Sequence, residues 1–421
     1  MFRQIRLELL LSVSLYLAMV AILLAIKVYA SEDDLGAVNK EVGRQSFWQI
    51  PQKGTNQFNR VPKEAWFAAA EKANIRWVRL AFSKWRSEEK DFLIGNADNY
   101  QGLVTEDLKK LQEVVGWAEK YHLKVVLVPL SLPGSRWVQR NGGKRDQRLW
   151  QDKKWWTQSA QYWRDIAKAF RHNNTVVAYD LINEPTPEVG TGLDEFASIE
   201  DYQRWYQHFQ GSSHDLPAFY NQVIEAIRTV DKETPVMVES GWYAHAWAYS
   251  YWPRLNDHQV LYSVHMYEPF AYTSRYNFVR SRGKGQAMYK YPGWIPVSVD
   301  SKKGSVWNKK KLEGFMSPFF SWAKAQNILA NQLVISEFGA HRMVPNAHLY
   351  LEDTLSVLSK QQVHWAFYSF REDEWDGYDY EMGTRPLNWD YWKAVDKGEL
   401  PDRPRQQDSK TWKVLEKWLS S

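Results

Sequence analysis

The stretch Val176-Val-Ala-Tyr-Asp-Leu-Ile-Asn-Glu-Pro185 is an apolar run that ends in residues of a different kind. A run without polar alternation is typical of a parallel strand that is buried on both faces. Pro185 cannot donate to a sheet ladder, so we expect the strand to end with Asn183 and Glu184 at its carboxyl end. A second stretch, Val334-Ile-Ser-Glu-Phe-Gly339, presents Glu337 in the same way. Together they predict a parallel sheet with two acidic side chains at the edge where its strands end.

Outward from these two stretches, the chain alternates strand-like and helix-like segments. The predicted strands span residues 53–58, 76–81, 124–130, 176–182, 235–239, 259–264, 332–336 and 364–370. Helical apolar periodicity separates them, although the helix between the fifth and sixth strands is poorly marked. Such alternation favours a parallel sheet, and eight units favour an α/β fold of the closed (β/α)8 TIM barrel type over a doubly wound sheet. No glycine-rich phosphate loop follows a strand, which argues against a nucleotide site.

The N-terminus predicts export. Arg3 and Arg6 precede an apolar stretch over residues 9–26, and Val28-Tyr29-Ala30 is similar to a small-residue cleavage site. We therefore expect a signal peptide or a membrane anchor over residues 1–30, with any anchoring through 7–29. A polar tether over 31–46 and a barrel over 47–421 complete the predicted organisation. The protein would be secreted, periplasmic or anchored facing outward, and the N-terminal hydrophobic helix would precede the barrel.

Composition narrows the classes of partner. The chain has 23 Trp, 23 Tyr and 18 Phe, which is too aromatic for a disordered protein and suits a large core together with surfaces that stack on flat ligands. The net charge of +5 comes from interleaved acids and bases without a basic block, so no nucleic-acid partner is expected. The absence of Cys excludes disulfides, thiolate metal sites and cysteine nucleophiles.

The long predicted connections all follow strands. They span residues 131–151, 186–214, 265–309 and 371–388, and in a barrel they would all lie on the catalytic face. Loops of this length usually have a function. The loop over 265–309 is rich in aromatic residues and predicts a ligand-contacting surface.

Polar side chains collect at the predicted strand ends. They are Arg79, Asn183, Glu184, His265, Tyr267 and Glu337. Of two carboxylates that share a barrel mouth, one can be kept protonated by its negative neighbour and by partial burial. The other would be held ionised by Arg79 and by a hydroxyl such as that of Tyr267. An acid and a nucleophile about 5–5.5 Å apart form the geometry of retaining glycoside hydrolysis.

Asn183-Glu184-Pro185, His265-Met-Tyr267 and Ser336-Glu-Phe-Gly339 resemble the signature of the cellulase-type glycoside hydrolase family 5. Lys53-Gly-Thr-Asn56 and Arg76-Trp-Val-Arg79 are similar to its first two strands. The resemblance covers roughly residues 45–390. It implies a retaining β-glycosidase that acts on a glucan- or mannan-like oligo- or polysaccharide through a covalent glycosyl-enzyme intermediate, without cofactor or metal.

The resemblance also implies roles for individual residues. Glu184 matches the general acid/base and Glu337 the nucleophile. Asn183 matches the residue that binds the sugar 2-hydroxyl. Arg79 matches the arginine that supports the nucleophile, and His265 and Tyr267 match residues that line the sugar subsite and orient the carboxylates.

Two further aromatic residues are candidates for the substrate-binding site. Trp242, in Glu239-Ser-Gly-Trp242, is either a sugar platform or part of the packing. Tyr368 stands where the family usually has tryptophan. The family histidine at the end of strand three is also missing, since that region reads Leu130-Ser-Leu-Pro-Gly-Ser135.

These two departures motivate one alternative, a non-catalytic carbohydrate-binding envelope protein on a hydrolase scaffold. A transglycosylase that uses the same intermediate is a second alternative. The acidic loop over 371–381 predicts a solvated segment, a sugar contact that selects a basic or amino sugar, or a Ca²⁺ site.

Overall fold

The structure is a computed structural model that describes residues 44–278, 289–298, 301–371, 377–397 and, beyond these, 399, 401, 403, 405, 406 and 408–421. The predicted signal or anchor over 1–30 and most of the tether over 31–46 lie outside the described residues. Within the described residues, no helix combines the length and the apolar character that crossing a bilayer requires.

Eight parallel strands close into a barrel, which confirms the predicted fold class. The barrel strands are β1 (Lys53–Gln57), β2 (Trp77–Ala81), β3 (Lys124–Val128), β4 (Val176–Asp180), β5 (Val236–Glu239), β6 (Val260–Met266), β9 (Leu333–Phe338) and β10 (His364–Phe367). Their order around the barrel follows the chain, and β10 closes onto β1. Two antiparallel strands, β7 (Gly293–Pro296) and β8 (Gly304–Trp307), form a separate hairpin after β6 that the sequence did not predict.

Helices pack around the barrel or lie within the connections that follow its strands. The α-helices are Arg44–Phe47, Glu64–Lys72, Thr105–Lys120, Lys154–Phe170, Ile199–Phe209, Leu216–Arg228, Gly241–Ala244, Phe270–Thr273, Lys309–Ala325, Ala347–Gln361, Trp389–Asp396 and Lys410–Ser420. Short 3-10 helices are Val138–Arg140, Arg148–Trp150, Ala246–Tyr249, Ala330–Gln332 and Tyr380–Met382. Helix Ile199–Phe209 lies inside the long connection after β4, and its N-terminus is closed by a Ser198–Asp201 capping box.

The connection between β5 and β6 is the weakest part of the predicted pattern, and it holds no long helix. Segments Gly241–Ala244 and Ala246–Tyr249 occupy it instead. The buried Tyr249 hydroxyl donates to the carbonyls of Val238 and Ser263 at 2.8 and 3.1 Å. A side chain thus ties the two strands together where a crossover helix usually packs.

The amino end of the barrel is filled by aromatic side chains. Trp48 lies edge-on to Trp77, with ring centroids 5.4 Å apart, and its indole N–H donates to the Val177 carbonyl at 3.0 Å. Arg44 donates to the carbonyls of Arg171 and Asn173 from the same end. Arg44, three residues before the predicted barrel boundary at 47, therefore packs with the barrel, where it satisfies carbonyls that a helix end leaves open.

Replacement of Gly54 or Gly116 by alanine should change the free energy of unfolding in opposite directions. A Cβ at Gly54 of β1 would lie 2.5 Å from the buried Trp77 indole, so Gly54→Ala should lower the free energy of unfolding by about 1–3 kcal/mol through overpacking. Gly116 is exposed in helix Thr105–Lys120 with open space around it, so Gly116→Ala should raise that free energy by about 0.5–1 kcal/mol. Denaturant unfolding of the two variants measures both. Equal effects would contradict the packing described for the barrel end.

Candidate active site

The Arg79 guanidinium on β2 is the centre of the site and is fully buried. It donates at 2.6 Å to each of Asp180, Glu239 and Glu337, and at 2.9 Å to the Asn183 side-chain oxygen. Burial by itself would lower the pKa of Arg79, but the three carboxylates reverse this and raise it. Arg79 therefore stays charged and joins side chains that come from β4, β5 and β9 and from the segment just after β4.

Glu337 on β9 has a donor on each carboxylate oxygen. Arg79 donates to Oε1 at 2.6 Å, and the Tyr267 hydroxyl donates to Oε2 at 2.8 Å. Burial raises the pKa of Glu337, while His265 and Arg79 oppose that rise. The predicted contacts of Glu337 with Arg79 and Tyr267 are present. The net direction of the pKa shift is upward, because burial outweighs the two positive neighbours.

Glu184 lies four residues beyond the end of β4 in the left-handed backbone region, with φ of +50°. Its side chain is 25% exposed, whereas that of Glu337 is 6% exposed, so Glu184 is the carboxylate that reaches into the cleft. A non-glycine residue in this region carries strain that its surroundings must offset. Here the Glu184 backbone N–H donates to Glu239 Oε2 at 2.7 Å.

Glu239 is a third glutamate that the sequence interpretation did not assign to the site. It is fully buried at the end of β5 and binds Arg79, His265 and the Glu184 backbone. Burial would raise the pKa of Glu239, but His265 and Arg79 outweigh burial and hold it at about 2. The strand-end rule that selected Glu184 and Glu337 also selects Glu239, because the predicted fifth strand ends there.

His265 on β6 connects the three glutamates. Its Nδ1 lies 2.9 Å from Glu184, and its Nε2 lies 3.0 Å from Glu239 and 3.8 Å from Glu337. Burial would lower the pKa of His265, but the negative neighbours raise it well above its usual value. The imidazole is thus protonated near neutral pH, with both ring nitrogens facing carboxylates.

Asp180 was interpreted only as part of the apolar fourth strand, yet it is the third carboxylate on Arg79, beside Glu239 and Glu337. It is fully buried, and burial raises its pKa to about 8 although Arg79 opposes the rise. Its Oδ1 has no hydrogen-bond partner among the described residues. The 2.6 Å contact with the guanidinium is an ion pair, so Asp180 is one of the three acids that Arg79 draws together.

Glu184 and Glu337 face each other across this network. One carboxylate oxygen of each and one ring nitrogen of His265 all lie within 4.8 Å of one another. This separation fits a retaining pair, whereas the carboxylates of an inverting pair stand farther apart with a water between them. The same three atoms are close enough to hold a cation, but Arg79 and Tyr267 already bind both oxygens of Glu337.

A family model described as cellulase, glycosyl hydrolase family 5, matches residues 38–374. The chain belongs to glycosyl hydrolase family 5. This confirms the resemblance predicted from the sequence, and the family consists of O-glycosyl hydrolases that use two glutamates with retention.

Individual relatives in the family are distant. Endoglucanase C of Acetivibrio thermocellus is 21% identical over 322 residues, covering 73% of this chain and 83% of that protein. A protein described as probable glucan 1,3-beta-glucosidase A, from Aspergillus fumigatus, is 27% identical over 139 residues, covering 33% of this chain. This match spans only 29% of the length of that relative. The solved structure of Thermotoga maritima Cel5A with mannotriose has a TM-score of 0.58 at 14% identity, covering 88% of this chain and 99% of the other, and it shows the fold alone.

The two departures from the family pattern meet in one apolar cluster. Leu130, in the region of the missing histidine, is buried together with Phe58 and Tyr368. Tyr368 lies edge-on to Phe58 and Tyr378, at ring-centroid distances of 5.5 and 5.4 Å, and is 9% exposed. The region from which the family histidine is missing thus contributes an apolar leucine to this cluster.

Trp242 is mostly packing, with one surface on the cleft. It is 9% exposed, packs with Tyr202 and Ala248, and its backbone N–H donates to Glu188 at 3.1 Å. It also lines a cavity of about 500 Å³ next to Glu184. Asn183 lines a second cavity, of about 360 Å³, on the other side of Glu184.

The acidic loop is only partly described, because residues 372–376 lie outside the described ranges. Of its remaining acids, Asp379 is buried and pairs with Arg405 at 2.8 Å. Glu381 pairs with Arg371 at 2.6 Å. These two acids therefore hold the loop to the C-terminal segment and to the end of β10.

Glu239 predicts a strong effect on turnover without direct contact with the reacting atoms. The charge of Glu239 holds the Glu184 backbone and raises the pKa of His265, and Glu239→Gln removes that charge. The rate constant kcat should therefore fall about 100-fold, because Glu184 is misplaced. The His265 pKa, followed by NMR titration, should fall towards its ordinary value. Glu188→Gln is the matched control, because burial raises the Glu188 pKa to about 8 and a neutral amide resembles its protonated form. A Glu239→Gln variant with wild-type kcat would contradict a positioning role.

Proposed function

We propose that the protein is a retaining β-glycoside hydrolase, with Glu184 as general acid/base and Glu337 as nucleophile. The observation that carries the proposal is the pair of carboxylates within 4.8 Å of each other on the mouth of a barrel of this family. Arg79 and Tyr267 orient Glu337 so that it can attack the anomeric carbon. Glu184 protonates the leaving oxygen, and after departure it takes a proton from the water that releases the sugar.

The bound sugar would be held by the residues around this pair. Asn183 has its side-chain oxygen fixed by Arg79, so its NH₂ group is the part that can donate to the sugar 2-hydroxyl. Tyr368 offers a ring for stacking, on a floor that includes Leu130. The substrate class that we propose is a β-glucan- or β-mannan-like chain, supported by relatives whose names include endoglucanase and by a relative's complex with mannotriose.

The nucleophile assignment predicts the loss of activity in one variant and a stereochemical outcome in the wild type. Glu337→Ala should lower turnover of aryl β-glycosides by at least 10⁴-fold, because no covalent intermediate can form. Wild-type enzyme should release the β-anomer first, which proton NMR detects before mutarotation. Release of the α-anomer, or unchanged turnover by Glu337→Ala, would refute the proposed mechanism.

A panel of soluble β-glucans, β-mannans and β-xylans with sizing of the products separates hydrolysis from its alternatives. Shorter products only are expected for a hydrolase. Products longer than the substrate would favour the transglycosylase. Tight binding of an oligosaccharide without cleavage at any pH would favour the non-catalytic carbohydrate-binding protein.

We also propose that the protein works outside the cytoplasm, on the grounds of the apolar stretch over residues 9–26 after Arg3 and Arg6. Cell fractionation tests this. If residues 1–30 are cleaved, the shortened protein should occur in the soluble extracytoplasmic fraction. If residues 7–29 anchor it, the full-length protein should occur in the membrane fraction and need detergent for extraction. A cytoplasmic location of the full-length chain would contradict export.

A further inference from the structure

The 500 Å³ cavity next to Glu184 lies where the leaving group must depart. Glu184, His265 and Tyr267 line it, whereas Glu337, Asn183 and Tyr368 do not. In the proposed reaction the acid protonates the leaving oxygen while the nucleophile attacks from the opposite face. The departing sugar therefore lies against Glu184 on the side away from Glu337, in this cavity.

Exposed apolar side chains concentrate around the same cavity. Phe196, Phe270, Tyr276 and Val297 are large, at least 40% exposed, and all line it. Such a concentration at a cleft is typical of a surface that binds a ligand, because isolated apolar residues elsewhere on a protein need no partner. The rings provide flat faces for sugar stacking.

Carboxylates outnumber the positive charge on the cavity wall. Glu195 and Glu268 line it together with Glu184. Among its described lining residues the positive groups are Arg145 and the protonated His265, which already pairs with Glu184. Burial raises the pKa of Glu195, and Arg145 opposes that rise. The Arg145 guanidinium lies 5.4 Å from the centroid of the Tyr243 ring. Burial raises the pKa of Glu268 to about 7, and one of its oxygens accepts a hydrogen bond from the Phe270 backbone at 2.8 Å.

His245 supplies a second polar group on this wall. Its ring is 7% exposed, and Nδ1 accepts from the Trp247 backbone N–H at 3.4 Å. Burial lowers the pKa of His245 to about 4, so the ring is neutral and Nε2 carries its hydrogen. That donor has no partner among the described residues, although a buried donor normally has one. A ligand hydroxyl in the cavity would satisfy it.

We propose that this cavity binds a sugar that carries a protonated amine, such as a glucosamine residue, with Glu268 and Glu195 as the carboxylates that recognise the ammonium group. An ammonium group offers three donors and a full charge, so it gains more from two partly buried carboxylates than a neutral hydroxyl does. Its positive charge also lowers the pKa of Glu268 again, which favours the ionised carboxylate in the complex. The inference rests on the proposed function only for the assignment of the cavity to the leaving group.

Calorimetric binding to the full-length Glu337→Ala variant tests the proposal. The probes are β-1,4-linked tetramers of glucosamine, N-acetylglucosamine and glucose at pH 6, where the glucosamine amine is protonated. We expect the glucosamine tetramer to bind at least tenfold more tightly than either neutral tetramer. Added Glu268→Gln and Glu195→Gln changes together should reduce that preference to less than twofold.

Glu225→Gln is the charge-matched control, because Glu225 is exposed on the outer helix Leu216–Arg228. It should keep the full preference. Equal affinities for the three tetramers, no binding by any of them, or a preference that survives the double Gln change would each overturn the proposal.

Hydrolysis by the wild type separates this inference from the proposed function. Cleavage of β-glycosides without a preference for the amine-bearing tetramer would refute the amine site alone. A carboxylate-dependent preference in a protein that cleaves no β-glycoside would refute the proposed function and leave the cavity as an amino-sugar binding site.

Discussion

The buried guanidinium of Arg79 is the interaction on which the rest of the site depends. A fully buried charge is costly unless it is paired and hydrogen-bonded, and here Asp180, Glu239, Glu337 and Asn183 all accept from it. These partners come from three strands and one strand-end segment, so the pairing fixes the relative positions of those barrel elements. Removal of any one carboxylate would leave the buried Arg79 charge with one partner fewer. The same ion pairs therefore stabilise the barrel and build the site.

Position and protonation in the site follow from that arrangement. Arg79 and His265 keep Glu239 ionised at the end of β5, and Glu239 in turn holds the backbone of Glu184 in a left-handed conformation. Glu184 thereby reaches into the cleft, while Glu337 is held between Arg79 and Tyr267 and is less exposed. Burial alone would favour neutral carboxylates and a neutral histidine, and only their mutual proximity reverses this for Glu239 and His265.

Two sides of the cleft differ in chemistry. On the side of Tyr368, Leu130 and Phe58 form an apolar cluster. On the side of Trp242, carboxylates and exposed rings line the 500 Å³ cavity. Strand-end residues thus build the charged network, whereas loop residues make the two sides of the cleft different.

Much of the barrel was predictable from local pattern. Each of the eight predicted strands overlaps an observed one. Most of them are continuous apolar runs, as expected for strands buried on both faces, whereas β1 is polar in sequence. The strand-end rule also selected Arg79, Glu184, His265, Tyr267 and Glu337, which the structure brings into one network. Their catalytic and binding roles remain predictions.

The residues that were missed show what pattern cannot supply. Asp180 lies inside an apolar run and Glu239 ends a short strand, and neither reveals a partner until the barrel closes around Arg79. The β5–β6 connection escaped prediction because side-chain contacts such as those of Tyr249, not helical periodicity, hold it. The β7–β8 hairpin lies within the stretch 265–309 that was predicted only as a long loop. The sequence by itself determined the repeat of strands and the acids at their ends, because both depend on short stretches of neighbouring residues. Only the tertiary structure decided which charges meet, because the pKa values of buried groups depend on distances across the barrel.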